Sequence, residues 1–165
     1  MQRIIFLDID GPVINTPCYY VDSMASLQRL VMNTQAIGYL NKLAEIANAL
    51  IVTNSTHNNF TVRETGRTLK KDLLKWGLKE HLLHTNWCTT FPWPTIGDAD
   101  PRFPAHPRLR GIIEWEQING SADWIAFDDD VFVEASDTRL IVIDFDCGID
   151  YNAFSKACEY WKVKV

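Results

Sequence analysis

The stretch IIFLDIDGP, residues 4–12, decides how the rest of the chain is read. An apolar run rich in β-branched residues and closed by a Gly-Pro breaker predicts a fully buried strand from Arg3 to Leu7. A strand covered on both faces can carry carboxylates only where the sheet opens to solvent, so Asp8 and Asp10 fall at its carboxyl end. Two acids so close repel each other and lose hydration, which costs stability unless a cation or a function compensates.

Two more apolar runs end in the same way. ALIV at 49–52 reads as a second buried strand leading into Thr53-Asn54-Ser55, and DWIAFDDD at 123–130 ends in Asp128-Asp129-Asp130. RLIVIDF at 139–145 predicts a last strand, and another is expected between Thr53 and Arg110. A helix capped by Asn33 or Thr34 carries Ile37, Leu40, Ala44 and Ala47 at helical spacing. Thr61-x-x-Glu64 matches a capping box and predicts a helix running to Trp76, with Gly77 as its stop. Two further helices are expected, over about 109–118, stopped by Asn119-Gly120, and over about 151–161. Residues 12–22 read as a small flap, and residues of about 85–108, holding five of the seven prolines, read as an irregular insertion.

Strands alternating with helices predict an α/β fold with a mostly parallel central sheet covered on both faces. In such sheets ligands bind beyond the carboxyl ends of the strands, where strand order reverses. With 165 residues and 47% hydrophobic content, a single domain over 1–165 is expected. A net charge of -5 argues against tight, non-specific binding to nucleic acid by bulk electrostatics. Cys18, Cys88, Cys147 and Cys158 are scattered, with neither zinc spacing nor a secreted disulfide framework. The four histidines read as ordinary surface or packing residues. Met1-Gln2-Arg3 leads straight into the first strand and no apolar stretch is long enough to span a bilayer, so a cytoplasmic setting without a membrane partner is expected.

The strand-end groups suit one chemistry. Magnesium takes oxygen ligands, commonly one or two carboxylates with phosphate and water, and Asp8 with Asp128 or Asp129 would supply them. A carboxylate such as Asp8 can attack phosphorus and form an aspartyl-phosphate, splitting hydrolysis into two easier steps. Asp10, on the following turn, is placed to protonate the leaving oxygen and later to take a proton from water. The Thr53 hydroxyl suits a phosphoryl oxygen, and a basic residue is needed to balance the equatorial charge.

FLDIDG, LIVTNS and AFDDD, in that order, resemble three of the four motifs of the haloacid dehalogenase-like (HAD) superfamily. The resemblance implies a Rossmann-like three-layer sandwich with a minimal cap or none, and magnesium-dependent hydrolysis of phosphate esters. It places the nucleophile at Asp8, the general acid/base and a backbone metal ligand at Asp10, the hydroxyl at Thr53, and the metal-binding acidic pair at Asp128 and Asp129. Asn54, next to Thr53, joins the expected substrate-binding set. The fourth motif, a cation before the strand of the acidic pair, falls on RLRGIIEW, with Arg110 expected in the role and Arg108 in reserve. RGIIEW, IAFDDD and RLIVIDFDCGIDYNAFSKACEYW are also similar to small capless HAD domains associated with RNA repair proteins. Where those domains often carry a Trp-Arg pair after the hydroxyl motif, this chain has His57-Asn58-Asn59.

The expected function is therefore a magnesium-dependent phosphomonoester hydrolase with a site open enough for a nucleotide or a polynucleotide end. Two other classes share parts of the pattern. A phospho-accepting signalling receiver gathers similar groups but carries its acidic pair on the first strand, the reverse of this order. A non-catalytic module binding metal or nucleic acid has no use for an acid/base at Asp10.

Overall fold

The computed structural model describes residues 1–18, 31–59, 61–62, 67–90, 106–134 and 136–164. Five strands, β1 (Arg3–Leu7), β2 (Ala49–Thr53), β5 (Leu83–Cys88), β6 (Asp123–Asp128) and β7 (Leu140–Val142), form one parallel sheet in the order β5-β2-β1-β6-β7. A separate antiparallel ladder joins β3 (Thr61–Val62) to β4 (Arg67–Thr68). The α-helices bounded within the described residues are α1 (Thr34–Ala47), α2 (Leu69–Lys75), α3 (Pro107–Asn119) and α4 (Tyr151–Trp161). This is the α/β fold with a parallel sheet that the strand–helix alternation predicts, and the Rossmann-like arrangement that the resemblance implies.

Period-2 alternation along β1 assigns each side chain to a face. Ile5 and Leu7 join a core with Ile37, Leu40 and Leu43 of α1, Leu69 and Leu73 of α2, and Phe154 and Ala157 of α4. Ile4 and Phe6 point the other way, into a smaller core with Ile112 and Trp115 of α3 and Trp124 of β6. Phe6 packs edge-on against both tryptophans, at centroid separations of 5.5 and 5.9 Å. Both faces are thus dry, which is why β1 reads as an unbroken apolar run.

Helix ends follow their caps. The Asn33 side chain accepts N–H bonds from Gln35 and Ala36 at the start of α1, and Asp150 accepts from Ala153 at the start of α4. The helix expected from Thr61 is a correction. Thr61 lies in β3, and α2 begins only at Leu69, with Thr68 as its cap. Glu64, the partner in the expected capping box, lies outside the described residues. The irregular stretch is also shorter than expected at both ends, because β5 extends to Cys88 and α3 starts at Pro107. Its residues 91–105 lie outside the described residues, as do Tyr19 and Tyr20 of the flap.

Topology fixes where a ligand would meet the sheet. From β1 the chain builds outward through β2 to β5, then returns to place β6 on the other side of β1. The order therefore reverses between β1 and β6, and the crevice of an open α/β sheet lies at such a switch point. No helix among the described residues is long and apolar enough to cross a membrane.

Candidate active site

β1 and β6 run in register, with Leu7 opposite Phe127, so the next residue of each, Asp8 and Asp128, stand side by side at the switch point. The Asp8 N–H donates to the Phe127 carbonyl at 2.9 Å, carrying the pairing one step past the strand. One carboxylate oxygen from each of Asp8, Asp128 and Asp129 falls within 4.8 Å of the others. Asp8 and Asp128 are each only 1% exposed. The turn after Asp10 closes against this group. Gly11 has φ +80°, and a Cβ there would stand 2.9 Å from the Asp129 Cβ, so glycine both permits the backbone and allows the approach.

Arg108, in the first turn of α3, is the cation that the fold brings to these acids. Its Nη1 donates to Asp8 Oδ1 at 2.5 Å and its Nη2 to Oδ2 at 2.9 Å, a two-pronged pairing, while Nε lies 3.4 Å from Asp128 Oδ2. Asn54 grips the arginine at both ends. Its carbonyl accepts from Arg108 Nη1 at 2.6 Å and its amide donates to the Arg108 carbonyl at 3.1 Å. Arg110 takes another direction and pairs through Nε with Glu114, one turn along, at 2.7 Å. Two residues on a helix are about 200° apart, so one arginine of RLR facing the strand ends turns the other away. The sequence favours Arg110; the structure sets Arg108 against Asp8.

The hydroxyl groups are distributed in a way the sequence does not reveal. Thr53 is fully buried; its Oγ1 donates to Asn58 Oδ1 at 2.7 Å and lies 3.3 Å from the Trp87 carbonyl. The hydroxyl that helps to lower the proton affinity of Asp8 is that of Ser55. Asn54, expected to face substrate, is also buried; its Oδ1 accepts from Thr89 Oγ1 at 2.8 Å. Thr53 and Asn54 thus belong to a buried polar network with Asn58, Thr89 and Arg108. Asp10 stands apart from the three-carboxylate group, with Oδ2 2.9 Å from His57 Nε2. His57 is therefore no ordinary surface histidine, a correction that no sequence spacing foreshadows, since 47 residues separate the pair.

Burial and mutual repulsion set the protonation of the cluster. Burial pushes Asp8 up to about 6, although the Arg108 guanidinium and the Ser55 hydroxyl pull it down. Asp128 is raised to about 8 by burial and then by the charge of Asp8, with Arg108 opposing. Burial raises Asp129 as well, while the hydrogen bond to Asp10 raises His57. Ionised together, Asp8, Asp128 and Asp129 carry more negative charge than Arg108, the guanidinium that contacts Asp8 and Asp128 among the described residues, can balance in a desolvated place. An all-oxygen donor set with that excess fits a hard divalent cation, which would reverse the repulsion.

The model of a family described as the HAD domain in Swiss Army Knife RNA repair proteins matches residues 4–154. The chain belongs to this family. The matched HAD region runs from β1 into α4 and so takes in every strand and the whole cluster just described. No curated protein and no solved structure matches the chain.

Proposed function

We propose that the domain is a magnesium-dependent phosphomonoester hydrolase acting through an aspartyl-phosphate at Asp8, on a nucleotide or a nucleic-acid end. One observation carries this reading. A buried carboxylate at the switch point is held by an arginine in two-pronged contact, beside two further carboxylates and two positions before a partly exposed acid, Asp10. Asp8, Asp128 and Asp129, with the Asp10 backbone carbonyl, would hold the magnesium ion, whose charge would neutralise the phosphate and the carboxylates around it. Family membership supports the hydrolase class, and the family's association with RNA repair proteins supports a nucleic-acid end.

The chain's own groups divide the work. An Asp8 oxygen attacks phosphorus, and because each carboxylate oxygen has a second lone pair, attack does not require Arg108 to leave. The ester P–O bond breaks and Asp10 donates its proton to the departing alkoxide. Water then attacks the aspartyl-phosphate, its proton returns to Asp10, and phosphate leaves with Asp8 regenerated. Arg108 and the Ser55 hydroxyl supply donors for the equatorial oxygens, where phosphoryl transfer is mainly positioning and electrostatics. Arg108 thus takes the role the sequence assigns to Arg110, and Ser55 the one it assigns to Thr53.

The test is phosphate release from an aryl phosphate and from phosphorylated oligonucleotides, with magnesium and with chelator. Wild type should turn over only with magnesium, Asp8→Asn should lose turnover, and Ser55→Ala should lose more activity than Thr53→Ser. Turnover that survives Asp8→Asn would refute the reading. Metal binding without release of phosphate from any ester would point instead to a binding module.

A further inference from the structure

The turn after β2 reaches both acids of the DxD pair. Residues Thr56–Asn59 form a single 3-10 turn. The Ser55 hydroxyl and carbonyl accept the N–H groups of His57 and Asn58 at 3.3 and 3.1 Å. The Asn58 amide donates inward to the Thr53 carbonyl at 3.2 Å and to the Thr89 carbonyl at 2.9 Å, and its oxygen accepts the Thr53 hydroxyl at 2.7 Å. Anchored on both sides, the turn sets the His57 imidazole against Asp10, while Ser55, the residue before it, bears on the proton affinity of Asp8.

A carboxylic acid that must hand over a proton has two oxygens and two rotatable bonds, so its usefulness depends on which oxygen faces the leaving group. Asp10 sits in a bridge with Ile14, just before the turn at residues 11–13, with its side chain 32% exposed. With Nε2 as the donor, the 2.9 Å contact makes Oδ2 an acceptor, and a proton that Asp10 transfers then resides on Oδ1. We propose that His57 is a positioning residue for Asp10, holding Oδ2 so that Oδ1 faces the leaving oxygen. This rests on the phosphatase reading, in which Asp10 protonates the leaving alkoxide. The imidazole does not touch the reacting atoms, and all bond changes occur at Asp8, phosphorus, Asp10 and water.

A merely structural role for His57 would weaken all substrates alike, whereas a positioning role depends on how much the leaving group needs a proton. The measurement is kcat/KM, which reads only as far as formation of the aspartyl-phosphate. It is made for wild type, His57→Ala and His57→Gln on a nitrophenyl phosphate, whose phenolate departs unprotonated, and on a phosphorylated oligonucleotide, whose alkoxide does not. General acid catalysis contributes about 10²–10⁴-fold, and a misaimed acid should forfeit part of it. His57→Ala should therefore lower kcat/KM on the oligonucleotide by roughly 10–100-fold, and on the aryl ester by about 3-fold or less. His57→Gln, which keeps a donor, should recover most of the oligonucleotide rate. If the alanine variant does not fold, the glutamine variant set against His57→Asn, whose amide is too short to reach, makes the same comparison.

Equal losses on both esters, or no loss on either, overturn the positioning role while the phosphatase reading stands. Absence of magnesium-dependent release by the wild type from both esters overturns the phosphatase reading and the positioning role with it.

Discussion

Replacing Arg108 by Met removes the cation from two buried carboxylates while keeping much of the side-chain volume. In wild type the Asp8 carboxylate takes two charge-assisted hydrogen bonds from Arg108, at 2.5 and 2.9 Å, and Asp128 lies 3.4 Å from Nε. Neither acid can regain water, since both are 1% exposed. Breaking a buried pair from one side costs about 3–5 kcal/mol, because the remaining charge stays desolvated. For a domain of this size 1 kcal/mol moves Tm by about 2–4 °C, so the variant should melt about 6–20 °C lower in chelator at pH 8. The assay is thermal unfolding followed by far-UV circular dichroism. Two controls separate lost charge from lost packing. At pH 5.5 the deficit should shrink, because Asp8 and Asp128, raised to about 6 and about 8, take up protons in place of the guanidinium. Adding Asp8→Asn to Arg108→Met should return a large part of the loss, since the two changes act on one interaction and are not additive. Arg108→Lys should not restore full stability, because an ammonium cannot make the two-pronged contact. A variant melting within about 2 °C of wild type in chelator at pH 8 would show that the pair is not what holds this end of the sheet together.

Two further outcomes follow from the same cluster. In Gly111→Ala the new Cβ would lie 2.8 Å from Asn54 Oδ1, displacing the amide that grips Arg108, so a loss of about 1–3 kcal/mol and of phosphate release is expected. Gly38→Ala, where a Cβ meets nothing, should instead stabilise α1 by about 0.5–1 kcal/mol, and equal melting shifts in the two variants would count against the clash. The folded state keeps a proton on Asp128 that the unfolded chain gives up above the ordinary carboxyl value of 3.8. Stability from this group is therefore greatest below about pH 4 and is lost as pH rises toward 8. Melting of wild type minus melting of Asp128→Asn, in chelator, should thus fall from pH 5.5 to 7.5, and saturating magnesium should flatten the slope; a rising difference would refute the assignment.

Much of the fold is written in local pattern. The β1 and β2 runs declare themselves because strands dry on both faces need continuous apolar residues, and α4 matches its expected span because Asp150 caps it. The region after β2 misleads because Thr61-x-x-Glu64 satisfies a capping box whose competing partner, β4, is not visible locally. Gly66 in the middle of the expected helix is the signal that argues against it. Within the site, Asp8, Asp10, Asp128 and Asp129 are legible because acids at the ends of buried strands have few other reasons to be there. Which arginine turns inward depends on where α3 begins, and Pro107 at its first position is the clue. Ser55 and His57 are out of reach of pattern, because their meaning comes from the acids just past β1, Asp8 and Asp10, nearly fifty positions earlier.

The pairing of Asp8 with Arg108 spans 100 residues, and this separation bears on how the protein is made. No local segment can assemble the cluster: β1 must first find β6, and α3 must dock across both. Contacts of such long range carry a high closure entropy and form late, so the acids should stay hydrated through most of the folding reaction. Interactions absent from the transition state act on unfolding rather than folding. A cation bound by these carboxylates would therefore lengthen the lifetime of the folded chain while scarcely changing how quickly it arrives.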